Sequence, residues 1–211
     1  MIIIPETSGA DTSEAFDHID IGDPRLSGTV EKIDGGYDIT AGGADIWGTR
    51  DEFHFLYTQH DGDFDIRARV KALSRVDSYT KAGIMARESL AEHARHAYFQ
   101  VFPDNSPRNN NNGGYEYQYR LAEGGEMKAI YPSTSVGIPP FPVNFPNTWL
   151  RLTRNGTAFT GYFSTDGDKW EVYAALDLPL PRKLFVGMAV TSHNADKLTT
   201  ASFRQISLLK T

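Results

Sequence analysis

Cysteine is absent from all 211 residues, so neither a disulfide framework nor a cysteine-ligated zinc site is available to this chain. Missing too is any block of like charge: 27 acidic and 21 basic residues are interspersed and sum to −6. Nucleic acid is therefore not expected as a partner, because neutralising phosphates takes a clustered basic footprint. Long apolar runs are lacking as well. The run Met1 to Ile4 is stopped by Pro5 and Glu6, too short for a signal-peptide core or a membrane span. Membrane insertion is not expected, and the chain reads either as cytoplasmic or as one whose leader has been removed. Helical periodicity is the last absence. No stretch holds a 3.6-residue pattern beyond two turns, and Ser89 to His96 is expected to form one helical turn at most.

What is present is apolar and aromatic material in short alternating pieces. With 40% hydrophobic and 12% aromatic residues the chain can bury a sizeable core without staples. A single domain over residues 1–211 is expected, with 1–15 as an extended N-terminal segment. Phe64 to Val70 alternates apolar and charged positions, the pattern of a strand buried on one side. Comparable pieces run Phe53 to Thr58, Ala82 to Arg87, Ala97 to Phe102, Tyr115 to Leu121, Trp149 to Arg154, Ala158 to Ser164, Leu184 to Thr191 and Ala201 to Leu208. Asp34-Gly35-Gly36, Asp61-Gly62-Asp63, Asn155-Gly156 and Asp166-Gly167-Asp168 supply the turns. Many short strands with almost no helix predict an all-β fold of two stacked antiparallel sheets, a sandwich or jelly roll. Two segments break the rhythm: Pro103 to Gly114 with its asparagine run (Asn109 to Asn112), and Tyr131 to Pro146 with its prolines.

The strand Tyr115 to Arg120 carries the sharpest chemical pattern. Alternation puts Glu116, Gln118 and Arg120 on one face and Tyr115, Tyr117 and Tyr119 on the other. Arg87, Gln100, His54 and Lys81, drawn from neighbouring strands, complete a row of charged and amide tips suited to sugar hydroxyls or a uronate carboxylate. A solvated face with weak cross-strand ion pairs is the plainer account of the same residues.

Three segments resemble a known family: Gly43 to His54, Lys81 to Leu90, and Gly187 to Asn194, with the hairpin Gly161 to Trp170 as a fourth. They look like the concanavalin A-like lectin/glucanase domains related to the "regulation of enolase" proteins, which accompany many bacterial secreted carbohydrate-active enzymes. The resemblance runs from about Phe16 to the C-terminus. It implies a jelly roll of two curved sheets with a saccharide held on the concave face, and an extracellular or periplasmic location. It also implies that a structural calcium is common in such domains, for which Asp17 to Asp23, Asp61-Gly62-Asp63 and Asp166-Gly167-Asp168 offer oxygens; no other cofactor is called for.

A carbohydrate-binding domain is the favoured expectation, with a glycoside hydrolase or polysaccharide lyase in the same groove as the alternative. Glu116, with Glu88, Asp51 or Glu52 as a second carboxylate, is the hydrolase candidate. For a lyase, Arg87, Arg120 and Gln118 would neutralise the uronate while His54, His193 or a tyrosine takes the proton. A protein-interaction role for the two long loops is the third expectation. His93 and His96 form a spaced pair more in keeping with solvent than with a metal. Trp47 reads as the anchoring indole of a crossing loop; Trp47, Trp149 and Trp170 are each candidates for stacking on a sugar ring, with Trp149 and Trp170 expected in the core.

Overall fold

A computed structural model describes residues 16–108, 113–131 and 141–211. The segments 1–15, Asn109 to Asn112 and 132–140 lie outside the described residues, and with them most of the asparagine and proline loops. The first sheet holds seven strands in the order β1 (Asp17–Ile21), β6 (Phe53–Asp61), β15 (Lys183–Thr191), β8 (Lys81–Arg87), β9 (His96–Val101), β10 (Tyr115–Arg120), β11 (Lys128–Ile130). The second holds seven in the order β14 (Glu171–Asp177), β13 (Ala158–Ser164), β12 (Thr148–Asn155), β7 (Phe64–Leu73), β16 (Thr199–Lys210), β3 (Gly36–Ala41), β2 (Thr29–Ile33). A two-stranded hairpin of β4 (Ile46–Trp47) and β5 (Arg50–Asp51) sits apart. Every pairing is antiparallel, and the chain crosses repeatedly between sheets. This is the expected two-sheet jelly-roll sandwich.

The even positions of β7, Phe64, Ile66, Ala68 and Val70, are all fully buried between the sheets, facing Leu150 and Leu152 of β12 and Phe99 of β9. The odd positions Asp65, Arg67 and Arg69 fall on the outer face, as period-two alternation requires. Asn155-Gly156 closes the β12–β13 hairpin with Gly156 at φ +60°. Gly62 at φ +100° turns the chain differently, passing it from β6 in one sheet to β7 in the other. The helical turn expected at Ser89 to His96 does not form: residues 88–95 are an irregular loop, and His96 opens β9.

The outer face of the first sheet is unusual in being largely covered. Phe53, Phe55, Met85, Tyr98 and Ala189 make a second apolar cluster there with Ile21, Ile46 and Met127. Its cover is the β3–β6 connection, which carries the small hairpin, and the turn before β11. Among the described residues one part of the face stays open.

Candidate functional site

The open part is a cavity of about 320 Å³ at the end of the sheet where β8 and β10 begin and β15 ends. Lys81 of β8 and Glu116 and Gln118 of β10 form its floor; Asp45, Trp47, Tyr79, Tyr131 and His193 form its walls. The wall residues come from connections between strands, which the fold ties down locally. Gly43, at φ +110°, lets the chain pass close to Glu52, where a Cβ would meet the Glu52 carbonyl at 2.1 Å. Its own carbonyl accepts hydrogen bonds from the Ser192 hydroxyl at 3.2 Å and the Asn194 backbone N–H at 3.1 Å. These bonds bring Asp45 against His193, which takes the left-handed conformation at φ 56° just after β15.

Asp45 is the electrostatic centre of the cavity. One oxygen accepts from Lys81 Nζ, and the other lies 3.3 Å from His193 Nε2. Burial works to raise the Asp45 pKa, but Lys81 and His193 outweigh it and bring the carboxyl below its ordinary range. The hydrogen bond to Asp45 raises His193 in turn, against the opposing effect of burial. His193 Nδ1 also stands 3.1 Å from Asp77. Lys81 Nζ donates to the Ile46 carbonyl at 3.3 Å and lies 5.7 Å from the centroid of the Trp47 ring.

Glu116 accepts from the Gln118 amide and bonds Tyr131, whose phenol is pushed up to about 12 by burial and by the nearby carboxylate. The Gln118 carbonyl oxygen, buried at the cavity floor, has no hydrogen-bond partner among the described residues. Both amide atoms of Gln100, register-paired with Glu116 on β9, are likewise without one. Buried amides are costly to leave unmated, and of the two only Gln118 reaches the cavity, where a hydroxyl would satisfy it. Tyr79 stands on His193 with ring centroids 5.5 Å apart, and Trp47 is 41% exposed. Aromatic faces, two carboxylates and an amide around one concavity can grip a sugar ring by its apolar face and its hydroxyls together.

The predicted polar row is real as a face but divided in use. Lys81, Glu116, Gln118 and His193 line the cavity. Gln100, Arg87 and Arg120 share the sheet face but are fully buried outside it. Arg120 donates to both oxygens of Asp51 at 2.8 Å each, and to the carbonyls of Gly48, Ala94 and Gly125. Arg87 lies 3.6 Å from the same carboxylate and donates to the carbonyls of Ser89 and Ala91. The expectation that both guanidiniums meet a ligand is thereby corrected: they neutralise Asp51 and hold the covering loops. His96, 3.7 Å from Asp51, completes this knot, while His93 is half-buried beside Glu123, so the two histidines do not converge.

His54 is a second correction. It is register-paired with Val190 and alternates with Phe53 and Phe55, so it points away from the cavity face. There Asp20 holds its Nδ1 at 2.7 Å and His18 lies beside it, and burial lowers its pKa. Nor are Trp149 and Trp170 in the core. Both stand half-buried on the outer face of the second sheet, edge to face at 6.4 Å, with Arg69 over one and Arg67 and Arg151 over the other. Among the described residues no three His, Asp or Glu side chains gather as a metal site. Asp166 instead accepts from the Asp168 and Lys169 backbone N–H groups, and Asp63 from that of Gly156.

Sequence reasoning missed Asp45, Tyr79 and Tyr131. All three sit in connections, where no periodicity points; the glycine pair before Asp45 was the available signal. A larger cavity, about 500 Å³, lies at the opposite end of β15 between Gln59, His60, Asp61, Glu88, Lys183, Leu184 and Phe185. It offers one aromatic carbon ring, and Glu88 there is already bound by Arg95.

No protein-family model and no curated protein matches the chain. Solved structures do. A protein of unknown function from Saccharomyces cerevisiae aligns over 93% of this chain and 96% of its own, at 18% identity and a TM-score of 0.66. The carbohydrate-binding module CBM66 from Bacillus subtilis aligns over 92% and 95%, at 12% identity and 0.56. An alginate lyase from Klebsiella pneumoniae aligns over 86% and 84%, at 12% identity and 0.52. At such identities the likeness is one of fold alone, a two-sheet antiparallel jelly roll. Among the described residues no helix is long and apolar enough to cross a membrane.

Proposed function

We propose that this chain is a carbohydrate-binding jelly-roll domain that holds a glycan in the cavity between Trp47, Tyr79 and Glu116. The observation that carries the reading is the lining itself: exposed or half-exposed rings above a floor of one carboxylate and an amide whose oxygen awaits a donor. Trp47 and Tyr79 present apolar faces to a sugar ring. Glu116 and Gln118 supply the acceptors that fix hydroxyl positions. The comparison with CBM66 supports this by fold alone.

The sequence resemblance supports a finer placement, among the jelly-roll domains related to the "regulation of enolase" proteins, and with it an extracellular or periplasmic site of action. Glycan-array screening of the intact chain, followed by calorimetry on the hits, tests the function. Wild-type binding that Glu116→Gln weakens at least tenfold is expected; a flat array, or a hit indifferent to that substitution, would refute the assignment.

Glycoside hydrolysis is the second reading, favoured by the presence of two carboxylates, Asp45 and Glu116, in one cavity. Lyase chemistry has less support, since the cavity tyrosine Tyr131 is shifted away from the phenolate a base would need. Release of reducing ends from a polysaccharide panel separates an enzyme from a binder.

A further inference from the structure

We infer that the cavity selects neutral glycans and rejects carboxylated ones, with Asp45 as the residue that sets the preference; the inference rests on the carbohydrate reading above. A lysine and a histidine in a sugar site would ordinarily suggest a uronate or sulfate ligand. Here the Asp45 carboxylate already engages both, and the remaining imidazole nitrogen, His193 Nδ1, is buried beside Asp77 without a hydrogen bond among the described residues. Lys81 Nζ donates to one Asp45 oxygen and His193 Nε2 lies against the other, with Asp77 on the far side of the same imidazole.

Formal charge makes the same point. Asp45 and Glu116 line the cavity against Lys81 and His193, and Asp77 stands behind His193. An incoming carboxylate would meet two resident ones in a cavity of about 320 Å³. To gain a cation it would have to displace Asp45 from Lys81, whose side chain is 3% exposed and whose ammonium is further held by the Ile46 carbonyl. Like charges at short range oppose binding, whereas a hydroxyl brings no charge and can be satisfied by the acceptors there. The Gln118 oxygen at the floor takes a hydroxyl donor, which either class of sugar carries, so the discrimination falls on the carboxylate's charge alone.

Lys81 therefore acts as a clamp on the site's own wall. Its ammonium joins Asp45, the Ile46 carbonyl and the Trp47 ring, so one cation fixes the loop and the platform together. That role is structural to the cavity and leaves it nothing to offer an anion.

Calorimetry of the intact chain against two sets of oligosaccharides of matched length tests this: neutral gluco-, xylo-, manno- and fructo-oligosaccharides, and oligomers of guluronate, mannuronate and galacturonate. Neutral sugars are expected to bind at least tenfold more tightly than any uronate. Asp45→Asn, which frees Lys81 and His193, should raise uronate affinity at least tenfold. A salt series on the wild-type chain gives an independent reading: screening should narrow the gap between the two sets as sodium chloride rises. Uronates binding as well as or better than neutral sugars would overturn the selectivity while leaving the carbohydrate reading intact. Silence toward both sets would overturn both. A preference unchanged in Asp45→Asn and unchanged by salt would refute the role of Asp45.

Discussion

Asp45 and Asp51 lie on the same connection between β3 and β6, and each gathers cations from the same face of the same sheet. Asp51, with no exposed surface, binds Arg120 through both oxygens and has Arg87 and His96 within 4 Å. Asp45, about a quarter exposed, holds Lys81 and His193 at the mouth of a cavity. The chemistry is nearly the same; the cover differs. Where the small hairpin and the loops beside it seal the face, a carboxylate with its cations becomes an internal brace. Where the seal stops, the same arrangement becomes a binding wall. The two are also joined, since Arg120 donates to the Gly48 carbonyl in the hairpin that carries Trp47.

Removing the anion from the sealed side should have the largest effect. Asp51→Asn leaves two guanidiniums buried without a counter-charge, which costs about 3–5 kcal/mol in comparable buried pairs. Urea unfolding should show that loss. A change under 1 kcal/mol, within the range of a surface substitution, would mean that the knot is wet and that the contrast with Asp45 is false.

The two histidines sharpen the comparison because their shifts are opposite. Burial pushes His96 down to about 4, with Arg87 and Arg120 adding to the effect and Asp51 opposing it. Its folded form is neutral, so between about 6.5 and 4 the unfolded chain binds more protons and stability falls as the pH drops, by up to about 3 kcal/mol. His193 runs the other way: the bond to Asp45 raises it, so its contribution is complete below the ordinary imidazole value and is lost as the pH climbs through its folded one. Imidazole titration by NMR should place His193 above 6.5 and His96 far below it. A His96 that titrates normally would count against the sealed knot.

On the open side the expected effects are on binding. Glu116→Gln keeps the shape of the floor but removes its charge, and should lower glycan affinity at least tenfold, about 1.4 kcal/mol. Its urea midpoint should move far less than that of Asp51→Asn. The opposite ranking would mean that Glu116 belongs with the brace.

Strand alternation made the faces legible. It put Glu116, Gln118 and Arg120 together, and Tyr115 and Tyr117 inside, where both are fully buried against Phe99. Applied to Phe53 and Phe55 it also turns His54 away, and with Leu150 and Leu152 inside it turns Trp149 outward. What alternation could not supply was the cover. Whether a polar face is lidded depends on where aperiodic connections come to rest, and the connection from Gly42 to Glu52 seals Arg120 with its far end and walls Lys81 with its near one. The same limit hid Tyr79 and Tyr131.

Trp47 gives the smallest expected effect and the finest test, because it stands where the two regions meet. Its hairpin is anchored from the sealed side, through Arg120 and the Met127 N–H on the Gly48 carbonyl, while its ring opens on the cavity. If the anchoring sets the hairpin and the ring serves only the ligand, Trp47→Ala should leave the urea midpoint nearly unchanged. Glycan affinity should then fall by the worth of one aromatic contact, about 0.5–1.5 kcal/mol, and Trp47→Phe should restore part of it. A loss of stability with affinity preserved would assign the ring to the brace through its contact with Lys81. The boundary between cover and cavity would then lie beyond Trp47, at Tyr79 and His193.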